Sequence, residues 1–146
     1  MSLLLTEAES ALDRVSDRCK EAADAYRTAR AATHDTDLAK LFVALEESRR
    51  RDSAALEGEI RRMGNLPGAP DADRETMEHL AIRVKAVVST DERRALLASC
   101  RQPEERLAAA VEAALEQNLP AATLALLQRL REEGAQVRRR LTTAPA

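Results

Sequence analysis

The stretch "LTEAESALDRVSDRCKEAADAYRTA", from Leu5 to Ala29, repeats small or apolar residues at alternating spacings of three and four. The members of this seam are Leu5, Ala8, Leu12, Val15, Cys19, Ala22, Tyr26 and Ala29. Such a spacing keeps one side of an α-helix apolar along its whole length. The stretch therefore predicts a long amphipathic helix that packs against other helices, and it indicates an all-α fold.

Turn signals divide the rest of the chain into further helices. Thr6 or Ser2 is expected to cap the first helix, and "THDTD" ends it and offers Asp35 or Thr36 as the next N-cap. A connection this short makes the second helix an antiparallel neighbour of the first. In "GNLPGAP", Gly64 suits a left-handed C-cap, and the prolines that follow prevent the second helix from continuing.

The 146 residues are predicted to form a single domain, an antiparallel bundle of four to five helices. The predicted helices cover residues 3–33, 36–63, 71–88, 90–118 and 121–141. A break is expected near residue 103, either a kink or a fresh helix start with Pro103 in its first turn, because a proline in mid-helix costs about 3 kcal/mol. The segment "STDE", Ser89 to Glu92, looks like a capping box before the fourth helix.

Composition excludes several classes of protein. The formal net charge is −2 and aromatic residues make up 1% of the chain, which argues against nucleic-acid binding. No segment approaches the ~20 apolar residues of a membrane span, and "MSLLLTEAES" lacks the basic start of a signal peptide. Cys19 and Cys100 are far apart and are interpreted as reduced, buried thiols. We therefore expect a cytoplasmic protein that binds neither membranes nor nucleic acid.

The predicted helices also carry polar residues on their inward seams. Arg49 and Asp52 interrupt the second seam, Glu104 lies on the fourth, and Cys19 lies in the middle of the first. An unpaired charge in an apolar interior costs several kcal/mol, and arginine stays charged, so Arg49 needs a carboxylate partner. We predict a central polar layer of Cys19, Arg49, Asp52 and Glu104. The alternative is a small helix rotation that puts Arg49 on the surface.

Three segments carry a resemblance to a known family. They are "EAADAYRTA" (Glu21 to Ala29), "LAKLFVALEESRRRDSAALEGEIRRMGNLP" (Leu38 to Pro67) and "LLASCRQPEE" (Leu96 to Glu105). The chain resembles, over roughly residues 4–140, a bacterial ferritin-like family of four-helix bundles known as a domain of unknown function. Two aromatic residues that are frequent in such proteins, a Trp on the third helix and a Tyr on the fourth, are absent.

The resemblance implies a search for a metal site, since ferritin-like bundles hold metals with inward Glu and Glu-x-x-His residues. The inward seams do not carry this set. His34 falls in a turn, and Glu75 with His79 forms a pair that is more often a solvated helix face. Other carboxylates that flank the seams, Glu21, Glu46 and Glu47, are interpreted as surface ion pairs. We predict no metal, no cofactor and no catalytic residue.

These observations favour a non-catalytic helical bundle that acts through protein contacts or as a stress-associated structural module. One alternative is a metal-binding ferritin-like oxidoreductase or iron-handling protein, which analogy of fold alone supports. Another is a sensory or adaptor bundle that binds a small ligand at Cys19, Arg49 and Glu104. Leu41 and Leu126 lie on columns beside the seams and leave apolar surface that a second copy could cover, so the sequence is compatible with a homo-oligomer such as a dimer and does not fix the stoichiometry.

Overall fold

The computed structural model describes residues 6–64 and 90–143. In these two ranges the chain forms four helices and no strand: α1 (Glu7–Ala32), α2 (Thr36–Arg62), α3 (Thr90–Leu115) and α4 (Ala121–Thr143). The predicted all-α fold is thus confirmed for the described residues. The helix predicted over residues 71–88 and the capping residue proposed at Ser89 lie outside them.

Local side-chain chemistry sets the ends of the first two helices. The Thr6 hydroxyl accepts a hydrogen bond from the Glu9 N–H at 3.1 Å and so caps α1. Asp35 caps α2 by accepting from the Leu38 N–H at 2.9 Å, a contact that lowers the pKa of its carboxyl. After α2, Gly64 has a φ of 94°, the left-handed conformation that its sequence position predicted.

A fresh helix start at Pro103 is wrong, because α3 is continuous from Thr90 to Leu115 with Pro103 inside it. Proline has no backbone N–H, so the helical hydrogen bond that residue 103 would donate to the Ser99 carbonyl is missing. Pro103 is buried, and apolar residues of α3 on both sides of it belong to the core. Packing along the whole helix outweighs the lost hydrogen bond, so the helix passes through the proline.

Contacts at known positions give the helix directions. The Cys100 thiol, early in α3, lies 3.9 Å from the Ala25 carbonyl oxygen, late in α1. Leu12, early in α1, shares a buried cluster with Val111, late in α3. Consequently α1 and α3 are antiparallel, as are α1 and α2 across their short connection. Helices α2 and α3 must then be parallel, and the ion pair between Asp35 and Arg93 joins their two N-terminal ends.

Helix α4 returns alongside α3. Arg101 of α3 donates to the Leu141 carbonyl at 3.5 Å, and Arg131 pairs with Glu112 at 3.5 Å. Early α3 therefore meets late α4, and the two helices are antiparallel. Helix α1 packs against both α2 and α3, whereas α2 touches α4 along a short stretch only. The described helices therefore run up, down, down and up.

The apolar interior consists of two clusters at opposite ends of the helices. The cluster around the start of α1 contains Leu12, Val15, Cys19, Leu56, Ile60, Leu107, Ala110, Val111, Ala114, Leu119, Leu127 and Leu130. The cluster around the start of α2 contains Ala22, Tyr26, Ala29, Ala32, Leu38, Phe42, Leu45, Leu96, Leu97, Cys100, Val137 and Leu141. On α2 and α3, the residues between the two clusters include buried charges. Within the described ranges, no helix has the length and apolarity that crossing a membrane requires.

Candidate functional site

A buried arginine lies between the two apolar clusters. Arg49 is 1% exposed and is the largest of the fully buried side chains among the described residues. The alternative orientation, with Arg49 on the surface and Ser48 and Ala55 facing inward, is therefore wrong, because both of those residues are only half-buried. Seam spacing decides the outcome: Arg49 follows Leu45 on the inward face of α2, and that face is covered by other helices.

The guanidinium of Arg49 is held by two carboxylates. Its Nε donates to Glu104 Oε2 at 2.8 Å and its Nη2 donates to Glu104 Oε1 at 2.6 Å, a two-pronged ion pair that joins α2 to α3. Its Nη1 donates to Asp52 Oδ2 at 2.9 Å, one turn further along α2. Glu104 is 0% exposed and Asp52 is 5% exposed, so all three charges are removed from water.

A tyrosine completes the coordination of Glu104. The Tyr26 hydroxyl on α1 donates to Glu104 Oε2 at 2.6 Å, and the ring stacks on Phe42 with 6.3 Å between centroids. Burial and the neighbouring Glu104 raise the pKa of Tyr26 far above its usual range, so the phenol stays protonated and remains a donor. The sequence placed Tyr26 on the inward seam, but its hydrogen bond depends on how α1 and α3 align.

Cys19, the fourth predicted member of the layer, belongs to one apolar cluster, and Cys100 belongs to the other. Cys19 and Cys100 are fully buried free thiols. Burial raises the pKa of Cys100 to about 12. It raises the pKa of Cys19 further, although Arg49 acts on Cys19 in the opposite direction. Neutral, buried thiols behave as small apolar side chains, so neither is a nucleophile at physiological pH.

Helix α4 contributes a glycine to the layer. A Cβ built on the buried Gly134 would lie 3.9 Å from Arg49 Nη2 and 3.2 Å from Arg138 Nη1. The first distance is an ordinary van der Waals contact and the second is tight, so α4 passes directly beside the Arg49 guanidinium. The structure thus brings together the four predicted members, Cys19, Arg49, Asp52 and Glu104, and adds Tyr26 and Gly134. We refer to these six residues as the central layer.

Comparison with known proteins gives one family. The model of the family described as "Domain of unknown function (DUF2383)" matches residues 7–117. The chain belongs to the DUF2383 family. The matched range includes α1, α2 and α3, and therefore every member of the central layer except Gly134. No curated protein matches the chain, and no solved structure matches it.

The other polar residues singled out in this DUF2383 sequence form surface contacts. Glu21 pairs with Arg18 at 2.7 Å, and Glu46 pairs with Arg50 at 3.1 Å. Glu47 is exposed. Glu21 and Glu46 are half-buried and their arginine partners are more exposed, so solvent weakens these pairs relative to the buried ion pairs of the central layer. They take no part in the central layer.

The central layer does not fit a metal ion. Asp52 and Glu104 are its only carboxylates, and both bind a guanidinium whose pKa is raised because its ion pair with Glu104 outweighs its burial. A divalent cation would have to share these oxygens with a permanent positive charge. In residues 6–64 and 90–143, no cluster of three or more His, Cys, Asp or Glu residues is arranged to hold a metal. His34 is exposed in the connection before α2, and His79 lies outside the described residues.

Proposed function

We propose that this protein is a bacterial ferritin-like bundle whose interior serves structure rather than metal chemistry. It would be non-catalytic and act in the cytoplasm, through contacts with other proteins or as a stress-associated structural module. The observation that carries the proposal is the position of Arg49, between the carboxylates of Asp52 and Glu104.

The order of helix directions supports the ferritin-like part of the proposal. Because α2 and α3 are parallel, the C-terminal end of α2 and the N-terminal end of α3 lie at opposite ends of the bundle. At about 1.5 Å per residue, helices of this size are roughly 40 Å long. Four-helix bundles with one long crossing connection are the arrangement typical of ferritin-like folds.

The chemistry of the central layer supports the non-catalytic part. In ferritin-like metalloproteins the inward carboxylates are the ligands of the metal. Here the inward carboxylates each accept hydrogen bonds from Arg49, and Glu104 also accepts one from Tyr26. A guanidinium has no redox chemistry and cannot act as a base. The layer is therefore suited to fixing the helices against one another.

Protein contacts and dimer formation remain part of the proposal. Leu41 and Leu126, which suggested a dimer surface, are half-buried, and each packs against one of the two apolar clusters. Their own cluster covers part of the apolar area that a second copy would have covered. Sedimentation equilibrium of the full chain across micromolar concentrations measures the oligomeric state directly.

Metal analysis tests the central claim. The full chain is purified without chelators, dialysed against ferrous iron, manganese or zinc, and analysed for bound metal per chain. An apo-ferritin sample treated in the same way shows that the assay detects binding. We expect far less than one metal per chain and no acceleration of ferrous iron oxidation in air.

The alternative function, a metal-binding ferritin-like oxidoreductase or iron-handling protein, makes the opposite prediction. Stoichiometric iron or manganese that is lost on substituting Glu104→Gln would show that the carboxylates bind metal in place of Arg49. That result would overturn the proposal. The fold topology supports this alternative, whereas the ion pairs of Arg49 oppose it.

A further inference from the structure

We propose that Asp52 is a proton-binding site: the folded protein takes up one proton at the central layer, and its stability falls as rising pH removes that proton. The proposal extends beyond the function argued above and does not depend on it. It concerns how the layer responds to its environment, whichever partner the bundle binds.

The charged groups of the central layer do not balance. The central layer contains one cation, Arg49, and two carboxylic acids, Asp52 and Glu104. All three are at most 5% exposed. With both acids ionised, the layer would carry one uncompensated negative charge in a region nearly closed to water, which is costly. One proton makes the layer neutral.

Asp52 takes up the proton more readily than Glu104, because the two acids differ in their hydrogen bonds. Glu104 accepts three hydrogen bonds, two from Arg49 and one from the Tyr26 hydroxyl. Asp52 accepts one from Arg49, at 2.9 Å. The guanidinium and the phenol therefore stabilise the ionised form of Glu104 more than that of Asp52. The negative charge that is not compensated lies on Asp52. Asp52 is also the most exposed of the three charged residues, so it can exchange a proton with solvent most readily.

The titratable and charged groups near Asp52 come from every neighbouring helix. Cys19 and Tyr26 on α1 are neutral, because burial raises the pKa of each. Glu104 on α3 is a second acid. The cation on α4 that acts on Asp52 is Arg129, which is exposed and lies 3.6 Å from Glu133 in an ion pair of its own.

The balance of these effects favours the proton. Burial raises the pKa of Asp52, and this effect exceeds the opposing influence of Arg49 and Arg129. The pKa of the folded state is thus above the value of 3.8 that applies to the unfolded chain. Between these two values the folded state holds one proton more than the unfolded state, so rising pH favours unfolding. The stabilisation is complete below 3.8 and is lost as the pH passes through the folded pKa.

The main experiment compares wild type with Asp52→Asn, which keeps the shape and stays neutral at every pH. Urea unfolding at pH values from 4 to 9 gives the unfolding constant of each protein, and the ratio of wild type to variant isolates Asp52. We expect the ratio to rise with pH by up to about tenfold per pH unit, then level off above the folded pKa. A ratio that stays constant or falls across this range would overturn the proposal.

Asp24→Asn is the matched control. Asp24 is also a buried aspartate, 6% exposed, but two arginines lie beside it: Arg50 at 3.2 Å and Arg27 at 3.9 Å. Arg50 also pairs with Glu46, but Arg27 gives Asp24 a second cation, so the excess of acid over cation argued for Asp52 does not apply to Asp24. The pH dependence of the ratio for Asp52→Asn should therefore exceed that for Asp24→Asn. An equal rise for both variants would show that the effect is not specific to the central layer.

A spectroscopic measurement keeps the test independent of the variants' folding. The carboxyl carbon of Asp52 in the wild-type protein, labelled with ¹³C, is followed by NMR as the pH is raised from 4. We expect a carboxyl whose protonated form persists above pH 3.8 and is lost as the pH is raised further. A carboxyl that is already ionised at pH 4 would refute proton binding at Asp52.

Discussion

Substituting Arg49→Met would remove the one cation of the central layer while keeping a flexible apolar side chain in its place. Three donated hydrogen bonds disappear, two to Glu104 and one to Asp52. Hydrogen bonds to charged groups contribute about 1.5–3 kcal/mol each, but the two acids can then take up protons and recover part of the loss. Removing one partner of a buried ion pair costs about 3–5 kcal/mol, and we expect this cost at pH 7.

The assay is urea unfolding at pH 7, followed by far-UV circular dichroism. Urea is chosen because guanidinium chloride would supply the very ion that the variant lacks. Arg50→Met is the matched control: Arg50 is the next residue of α2, and its side chain is 41% exposed. It pairs with Asp24 at 3.2 Å and with Glu46 at 3.1 Å. Because the Arg50 guanidinium is open to solvent and Asp24 keeps Arg27 as a second partner, we expect a smaller loss of stability than for Arg49→Met.

Comparable losses for the two arginine variants would refute the reasoning, since burial would then make no difference to the value of the ion pairs. A double variant sharpens the test. Adding Glu104→Leu to Arg49→Met replaces the unpaired acid with an apolar side chain. It should recover part of the stability that Arg49→Met loses, because buried ion pairs can be replaced by well-packed apolar residues at little cost.

Three further predictions concern single side chains. Arg49→Ala should be stabilised by millimolar guanidinium more than by sodium at equal ionic strength, as measured by the shift in Tm, because the cavity and both carboxylates remain. Cys19 and Cys100 should react with a thiol reagent only at the rate of unfolding, since both are fully buried; rapid labelling of the native protein would contradict this. Gly58→Ala should stabilise by about 0.5–1 kcal/mol, because a Cβ there meets only ordinary contacts. Gly134→Ala should gain less stability, because its Cβ would lie 3.2 Å from the Arg138 guanidinium. Equal gains for the two variants in urea unfolding would argue against this crowding.

The sequence predicted the helices well because their seams and end residues are local signals. Spacings of three and four define α1 and α2 to within a few residues, and Asp35, one of the two N-cap candidates with Thr36, caps α2 through its contact with Leu38. The same spacing allowed an inward Arg49 but also a rotated helix with Arg49 on the surface, and the burial of Arg49 in the structure decides between them. The ion pair of Arg49 with Asp52 is also local, because residues three apart lie on one face of a helix.

The remaining features depend on contacts between distant parts of the chain. Tyr26 and Glu104 are 78 residues apart, and their hydrogen bond requires a particular alignment of α1 with α3. Gly134 adjoins Arg49 only because α4 crosses beside α2. Pro103 was expected to interrupt α3, since local preference disfavours proline in a helix; tertiary packing decides otherwise. No single-sequence signal specifies these long-range pairings.

The position of charge between two apolar clusters has a consequence for helix alignment. Helices rich in alanine and leucine are nearly self-similar along their length, so sliding one by seven residues would leave much of its apolar packing intact. The same slide would carry Arg49 about 10 Å away from Glu104 and strand both charges among apolar side chains. Leucine and alanine supply most of the packing, and the Arg49 guanidinium fixes the alignment of each helix relative to its neighbours.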